Sequence, residues 1–130
     1  MATAVPAERD AVAGVSPGPG RETRLPGATL LRTGGLDLLA AGVGPALAAS
    51  SVSAALTAAA LAGTPYGLVV CAGVAGGFQP GAPVGSLVVA DDIVAADLGA
   101  ESPEGFLPVT ELGFGTVSHR PPDSLVREVA

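Results

Sequence analysis

A long stretch without charged side chains, between Asp37 and Asp91, constrains the fold of this chain more than any other feature. By length alone the stretch is sufficient for a membrane span. Alanine dominates it, however, rather than the larger apolar residues that carry membrane insertion, and glycines and prolines cut it into short pieces. No basic cluster flanks it to set an orientation in a membrane. The stretch therefore predicts short elements of a globular domain.

Short apolar segments alternate with helix-forming segments along the chain. Strands are predicted at residues 2–5, 36–41, 67–72 and 85–90, helices at 6–12, 46–61 and 124–130, and loops at 16–20 and over most of the chain beyond residue 101. The run at 67–72 is continuously apolar, which is typical of a parallel strand covered on both faces. This order predicts an α/β fold with a doubly wound, mixed or parallel sheet. The length of 130 residues predicts a single domain.

Charge and composition exclude several kinds of function. The chain has 12 acidic residues and 6 basic ones, all of them arginine, for a formal net charge of −6. Clustered cations are needed to bind nucleic acid, so we predict no nucleic-acid partner. The absence of lysine excludes a Walker-A site and a Schiff base, and one His with one Cys cannot build a His/Cys zinc site. We therefore predict no metal, and the stretch described above predicts no membrane partner.

The single cysteine, Cys71, predicts a reducing compartment because it has no partner for an intrachain disulfide. Residues 1–10 have an early proline and mixed charges instead of the basic start and apolar run of a secretory signal. Both features predict a cytoplasmic protein. Within the fold, Cys71 is expected to be a small buried apolar residue.

Three segments that follow predicted strands carry the candidate chemistry. They are the turn with Glu8 and the glycine turns at 42–44 and 73–77. Ligands of open α/β sheets bind beyond the carboxyl ends of the strands, and glycine turns let the backbone approach them closely. Each segment also has a purely structural interpretation. A Gly-x-Gly after a strand is usually an ordinary turn, and an acid in a first helical turn stabilises the helix dipole by about 0.3–1 kcal/mol.

Taken in order along the chain, several motifs resemble the purine nucleoside phosphorylase and nucleosidase superfamily. They are TAVPAERD at 3–10, GVGP at 42–45, GVAGGF at 73–78 and GSLVVAD at 85–91. The run VADDIVAADLGAE at 89–101, with ELGFG at 111–115 after it, most resembles the futalosine hydrolase family. Two further positions favour that branch over the methylthioadenosine/S-adenosylhomocysteine nucleosidases. They are Val74, where many relatives have Ser, and Ser86, where many have Asp.

The resemblance implies that the chain hydrolyses the N-ribosidic bond of futalosine, giving hypoxanthine and dehypoxanthine futalosine in menaquinone biosynthesis. It implies a nucleoside phosphorylase fold, a homo-oligomer, a small-molecule nucleoside substrate and no cofactor. Glu8 matches the glutamate that activates water and contacts the ribose in related nucleosidases. The substrate-binding residues that the resemblance implies are Gly42, Gly44, Val74, Ala75 and Gly76.

The resemblance also places the acid that protonates the leaving purine in the C-terminal third of the family's domain, beyond residue 130. The chain is therefore expected to be a partial nucleosidase domain, incomplete at its C-terminus. Either Arg32 or Arg120 has the charge to hold the aryl carboxylate of futalosine, and nothing in the sequence places them. Two alternative functions stay open. One is another purine nucleoside nucleosidase or phosphorylase, and the other is a non-catalytic remnant that binds a nucleoside.

Overall fold

The computed structural model describes residues 1–129, and the chain divides into two compact units, Met1–Gly76 and the part from Gly77 onward. The first unit contains β1 (Ala2–Thr3), α1 (Pro6–Val15), β2 (Arg21–Leu25), β3 (Ala28–Thr33), β4 (Leu36–Ala40) and α2 (Pro45–Leu61). The second contains β5 (Ile93–Val94), β6 (Gly99–Ser102), β7 (Gly105–Pro108), β8 (Ser118–His119) and α3 (Asp123–Val129).

The first unit is built on a four-stranded mixed sheet in the order β1-β4-β3-β2. β1 runs parallel to β4, whereas β2, β3 and β4 are antiparallel neighbours. The α/β class and the mixed sheet are therefore confirmed. The β2–β3 hairpin, which turns at residues 26–27, was not predicted from the sequence.

Local signals mark the starts of both helices of the first unit and the end of α2, whereas α1 continues to Val15, beyond the predicted residues 6–12. Pro6 and Pro45 occupy the first helical positions of α1 and α2, where a missing backbone N–H costs nothing. Alanine, the best helix former, dominates α2. Gly63 follows its C-cap with a φ of 72°, and the N–H groups of Gly63 and Thr64 donate to the carbonyls of Ala60 and Ala59. This is the Schellman arrangement, which satisfies carbonyl groups left free at a helix end.

The core of the first unit lies between α2 and one face of the sheet. Ala2, Leu39 and Leu30 occupy one cross-strand row on β1, β4 and β3, and all three are buried. Ala55 of α2 packs in the same cluster. Its small side chain lets the helix approach the sheet closely, so the large leucines of the row fill the space between them. This packing covers β1 and β4 where they lie side by side, and the ends of those two strands carry the candidate site.

Two predicted strands differ from the structure. Residues 67–72 form no strand, and only Cys71 makes a single parallel bridge, to Ala2. Residues 85–90 form no strand either, because no neighbouring segment hydrogen-bonds to them within the described residues. Their apolar composition gave the expectation, but a strand also needs a paired neighbour. Cys71 is exposed rather than buried, which corrects the expectation for that side chain.

The second unit has more regular structure than its many glycines and prolines suggest. β6 and β7 form a hairpin in a region that was predicted as loop, and β5 pairs with β8. The hairpin turns at residues 103–104, where the Ser102 hydroxyl donates to the carbonyl of Gly105 and accepts the N–H of Glu104. The helix predicted at 124–130 is observed as α3, and residue 130 lies outside the described part of the chain.

Over residues 1–129, every helix is too short or too polar to cross a membrane.

Candidate active site

Three chain segments run side by side and end at the same edge of the sheet in the first unit. β1 lies in the middle, where Ala2 donates its N–H to the carbonyl of Val70 and accepts the N–H of Ala72, at 2.8 and 2.9 Å. On its other side, the N–H groups of Leu39 and Ala41 donate to the carbonyls of Met1 and Thr3, at 2.9 and 2.7 Å. The segments that follow, residues 4–8, 41–44 and 73–76, therefore begin at one common edge, as the sequence predicted.

Glu8 lies at this edge with its carboxylate held by three backbone N–H groups. Oε2 accepts the N–H of Ala4 at 2.9 Å and the N–H of Val5 at 3.2 Å. Oε1 accepts the N–H of Val74 at 2.9 Å. All three lengths are those of well-formed hydrogen bonds. The carboxylate therefore joins the end of β1 to the segment that follows Cys71.

Two of these hydrogen bonds belong to the helix and one does not. Glu8 is the third residue of α1, and its bond to the N–H of the N-cap residue Val5 is the glutamate half of a capping box. The structural interpretation of Glu8 as a first-turn acid therefore explains its bonds at the start of α1. Capping does not explain the bond from Val74, which lies 66 residues further along the chain. That bond fixes the second oxygen toward the glycine turn.

The same donors keep Glu8 ionised. They lower the pKa of the Glu8 carboxyl below its ordinary value, with the Val74 N–H as the largest cause and the Val5 N–H next. The carboxylate is partly exposed, and its partial desolvation opposes the shift without reversing it. At neutral pH Glu8 is therefore a negatively charged acceptor. An ionised carboxylate has about four acceptor sites, so with three N–H groups bound it can still accept a hydrogen bond from water or a hydroxyl group.

Gly42 and Gly44 form the second part of the edge, and both have left-handed backbone conformations, with φ values of 97° and 90°. The N–H of Gly42 donates to the carbonyl of Ala4 at 3.1 Å, so this turn lies directly beside the turn that holds Glu8. A β-carbon on Gly42 would lie 2.8 Å from the β-carbon of Leu47, which leaves no room for a side chain. Gly44 is the N-cap of α2 and is exposed.

Residues 74–76 form the third part of the edge. The N–H of Val74 points to Glu8, while its side chain is 91% exposed. Ala75 and Gly76 continue the chain as exposed backbone. The structure thus brings Glu8 together with Val74 by a hydrogen bond and with Gly42 through Ala4. Sequence reasoning missed the link between Glu8 and Val74, because no local pattern marks a bond between residues so far apart.

Arg32 lies at the opposite edge of the sheet. It pairs with Asp37 across β3 and β4, and its Nε lies 3.1 Å from an Asp37 carboxylate oxygen. Asp37 is near the start of β4, whereas the candidate site follows the end of that strand. Asp37 and Ala40 are three steps apart along the strand, about 10 Å at roughly 3.3 Å per step. Arg32 is therefore held by Asp37 near the start of β4, away from the end of the strand that carries the candidate site.

Arg120 belongs to the second unit, where its Nε lies 3.4 Å from an Asp92 carboxylate oxygen. Asp92 also accepts the hydroxyl of Ser118 at 2.6 Å. This bond is the largest cause of a lowered pKa for the Asp92 carboxyl. The group is thus a local ion pair that ties β8 to the residue before β5.

The chain is similar to proteins of known name over its full length. The phosphorylase superfamily matches residues 25–126. A futalosine hydrolase of Streptomyces coelicolor is 69% identical over 131 residues, which cover 100% of this chain and 56% of the relative. A futalosine hydrolase of Acidothermus cellulolyticus is 45% identical over 131 residues, covering 98% of this chain and 49% of the relative. This chain therefore spans about half the length of the curated relatives it matches. No solved structure matches it.

Proposed function

Because the chain belongs to the phosphorylase superfamily, we propose that it is part of a nucleosidase that hydrolyses the N-ribosidic bond of futalosine. The products are hypoxanthine and dehypoxanthine futalosine. The observation that carries the proposal is the Glu8 carboxylate, held ionised by the N–H groups of Ala4, Val5 and Val74 at the ligand-binding edge of the sheet. Similarity to two futalosine hydrolases supports the choice of substrate.

In the proposed reaction Glu8 is the general base. Cleavage of an N-riboside passes through an oxocarbenium-like state at C1′, as glycoside cleavage does. Glu8 accepts a proton from water as the water oxygen bonds to C1′, and the bond from C1′ to the purine nitrogen breaks. The electron pair of that bond leaves with the purine, which takes up a proton. The resemblance assigns that second proton to an aspartate in the C-terminal third of the family's domain.

The glycine turns are the proposed contacts to the rest of the nucleoside. We assign Gly42 and Gly44 to the ribosyl end, because the N–H of Gly42 already bonds to the carbonyl of Ala4 beside Glu8. We assign residues 74–76 to a strip along the purine and ribose. Exposed backbone suits this role, because planar bases and ribose hydroxyls are bound by N–H and C=O groups and by close apolar contact.

Further properties belong to the same proposal. The enzyme acts in menaquinone biosynthesis, works in the cytoplasm, assembles as a homo-oligomer and needs no cofactor. Residues 1–130 form part of a single nucleosidase domain. The superfamily match supports this last statement because it runs across both compact units without a break.

The proposal is tested by following hypoxanthine release from futalosine by chromatography. The assay uses this chain and an extended protein, translated from a longer coding frame that reaches the length of the relatives. We expect release by the extended protein at a rate that does not depend on phosphate. Phosphate-dependent cleavage of inosine would instead identify a phosphorylase. Binding of the nucleoside without turnover in the extended protein would identify a non-catalytic binding module. Either of these results contradicts the proposal.

A further inference from the structure

Gly73 lies against the carboxylate of Glu8. A β-carbon built on Gly73 would be 2.9 Å from Oε1, 3.3 Å from Cδ and 3.4 Å from Oε2 of Glu8. The first of these distances is closer than β-carbons approach a non-bonded atom in folded proteins. Any side chain other than hydrogen at position 73 therefore collides with the carboxylate in its observed position.

The backbone does not require glycine at this position. Gly73 is not among the glycines of the described chain with a positive φ, unlike Gly42 and Gly44. An L-residue can adopt its conformation without backbone strain. What glycine supplies at position 73 is space, and the three atoms nearest to that space all belong to the Glu8 carboxylate.

We infer that Gly73 is a positioning residue for Glu8: the missing β-carbon is what allows Oε1 to accept the N–H of Val74. The catalytic meaning of this inference rests on the proposed function, whereas the contact itself does not. Gly73 touches no reacting atom. It acts by leaving room for the Glu8 carboxylate to point toward the N–H of Val74.

The carboxylate, rather than the backbone, has to move when a β-carbon is added. The backbone beside Gly73 is fixed, because the N–H of Ala72 donates to the carbonyl of Ala2 at 2.9 Å. The Glu8 carboxylate is the end of a flexible, partly exposed side chain. A Gly73→Ala variant is thus expected to fold normally while its Glu8 carboxylate swings away from the Val74 N–H.

The contact is tested by nuclear magnetic resonance of the labelled chain. In the unchanged protein, the amide signal of Val74 should shift with pH as Glu8 titrates, and Glu8→Gln should abolish that shift. In Gly73→Ala we expect the shift at Val74 to be largely lost and the Glu8 midpoint to rise toward the ordinary glutamate value of about 4.3. Gly67→Ala is the matched control, since a β-carbon at Gly67 meets nothing within 4 Å and its φ is not positive.

The outcomes separate cleanly. If the amide signal of Val74 in the unchanged protein does not shift as Glu8 titrates, the inference is overturned even if Gly73→Ala fails to fold. A Gly73→Ala protein that keeps the full shift overturns it as well. Loss of the shift in Gly73→Ala alone, with Gly67→Ala unchanged, supports it.

Kinetics test the positioning role. In a protein that hydrolyses futalosine, Gly73→Ala should lower kcat about tenfold to a hundredfold, as misplacement by about 1 Å does, and should raise the midpoint of the acid limb of the pH profile. An unchanged kcat and pH profile would overturn the inference while Glu8→Gln still tests the proposed function. An unchanged protein without hydrolysis would defeat the proposed function, and the Val74 titration would still decide on Gly73.

Discussion

Leu38 gives the sharpest test of the packing that holds the candidate site in place. It lies on β4, between β1 and β3, and with only 1% exposed it is the largest fully buried side chain among residues 1–129. β4 leads directly into the turn with Gly42. Loosening this strand therefore weakens the framework that sets Gly42 beside Ala4.

The expected cost of Leu38→Ala follows from its burial. The substitution removes three carbon atoms from a position without solvent, which forfeits about 2.4 kcal/mol of transfer free energy at about 0.8 kcal/mol per methylene. The cavity left behind adds to this, and buried Leu→Ala changes cost about 2.7–5 kcal/mol in total. Domains are stable by only about 5–15 kcal/mol, so the variant should lose a large part of its stability.

Urea unfolding followed by far-ultraviolet circular dichroism measures this effect, since the chain has no tryptophan to report by fluorescence. Leu36→Ala is the matched control, because Leu36 begins the same strand and is 43% exposed. We expect a loss of about 3 kcal/mol for Leu38→Ala and less than about 1 kcal/mol for Leu36→Ala. Equal losses for the two variants would contradict the burial of Leu38 on β4.

Three other predictions concern charge and helix ends. Tyr66, the single tyrosine, should titrate above the ordinary value of about 10 when its absorbance is followed in alkali, because burial and then the hydrogen bond to Asp37 raise its pKa. Asp37→Asn should lower the titration midpoint of Tyr66, and an unchanged midpoint would contradict the contact between the two side chains. In urea unfolding, Gly63→Ala should lower the free energy of unfolding by about 1–2 kcal/mol because φ is positive at Gly63, and a neutral effect would contradict the described end of α2. Gly14→Ala, inside α1 with open space around it, should raise the free energy of unfolding by about 0.5–1 kcal/mol. The pKa of Glu8 is lower in the folded chain, so its contribution to stability is present above its unfolded pKa and is lost as the pH falls through the folded pKa. When the urea midpoint is plotted against pH, Glu8→Gln should therefore flatten the curve in that acid range. An unaltered slope would contradict the three N–H bonds to Glu8.

The elements that could be predicted from the sequence are those whose signals lie within the element. Pro6 and Pro45 mark the starts of α1 and α2 within one residue, and Gly63 marks the end of α2. These signals act through backbone geometry and local hydrogen bonds, so they need no knowledge of the rest of the chain. The predicted strand at 36–41 is likewise observed, as β4.

Pairing between strands could not be predicted in the same way. The β2–β3 hairpin contains charged residues such as Arg21 and Arg24, and their side chains gave no apolar alternation to indicate strands. Conversely, residues 85–90 have the composition of a buried strand and no paired neighbour in the described part of the chain. Composition reports how well a segment suits burial, whereas a strand exists only where a second segment supplies hydrogen bonds.

The candidate site likewise has one feature that the sequence predicts and others that only the folded sheet shows. Its place at the carboxyl edge of the sheet follows from the order of strands and glycine turns. The bond between Glu8 and Val74 depends on β1 lying between β4 and the segment at Cys71, which is a property of the folded sheet. The space that Gly73 leaves for the carboxylate is likewise visible only in three dimensions.

We propose above that Glu8 is the general base of a futalosine nucleosidase. Its most direct test is hypoxanthine release by Glu8→Gln, compared with Asp10→Asn, in which an exposed carboxylate of the same helix becomes an amide. We expect kcat to fall by about a hundredfold or more for Glu8→Gln, which is the scale of general base catalysis, and turnover to stay near normal for Asp10→Asn. Near-normal turnover by Glu8→Gln, in a protein extended to the length of its relatives, would contradict the claim.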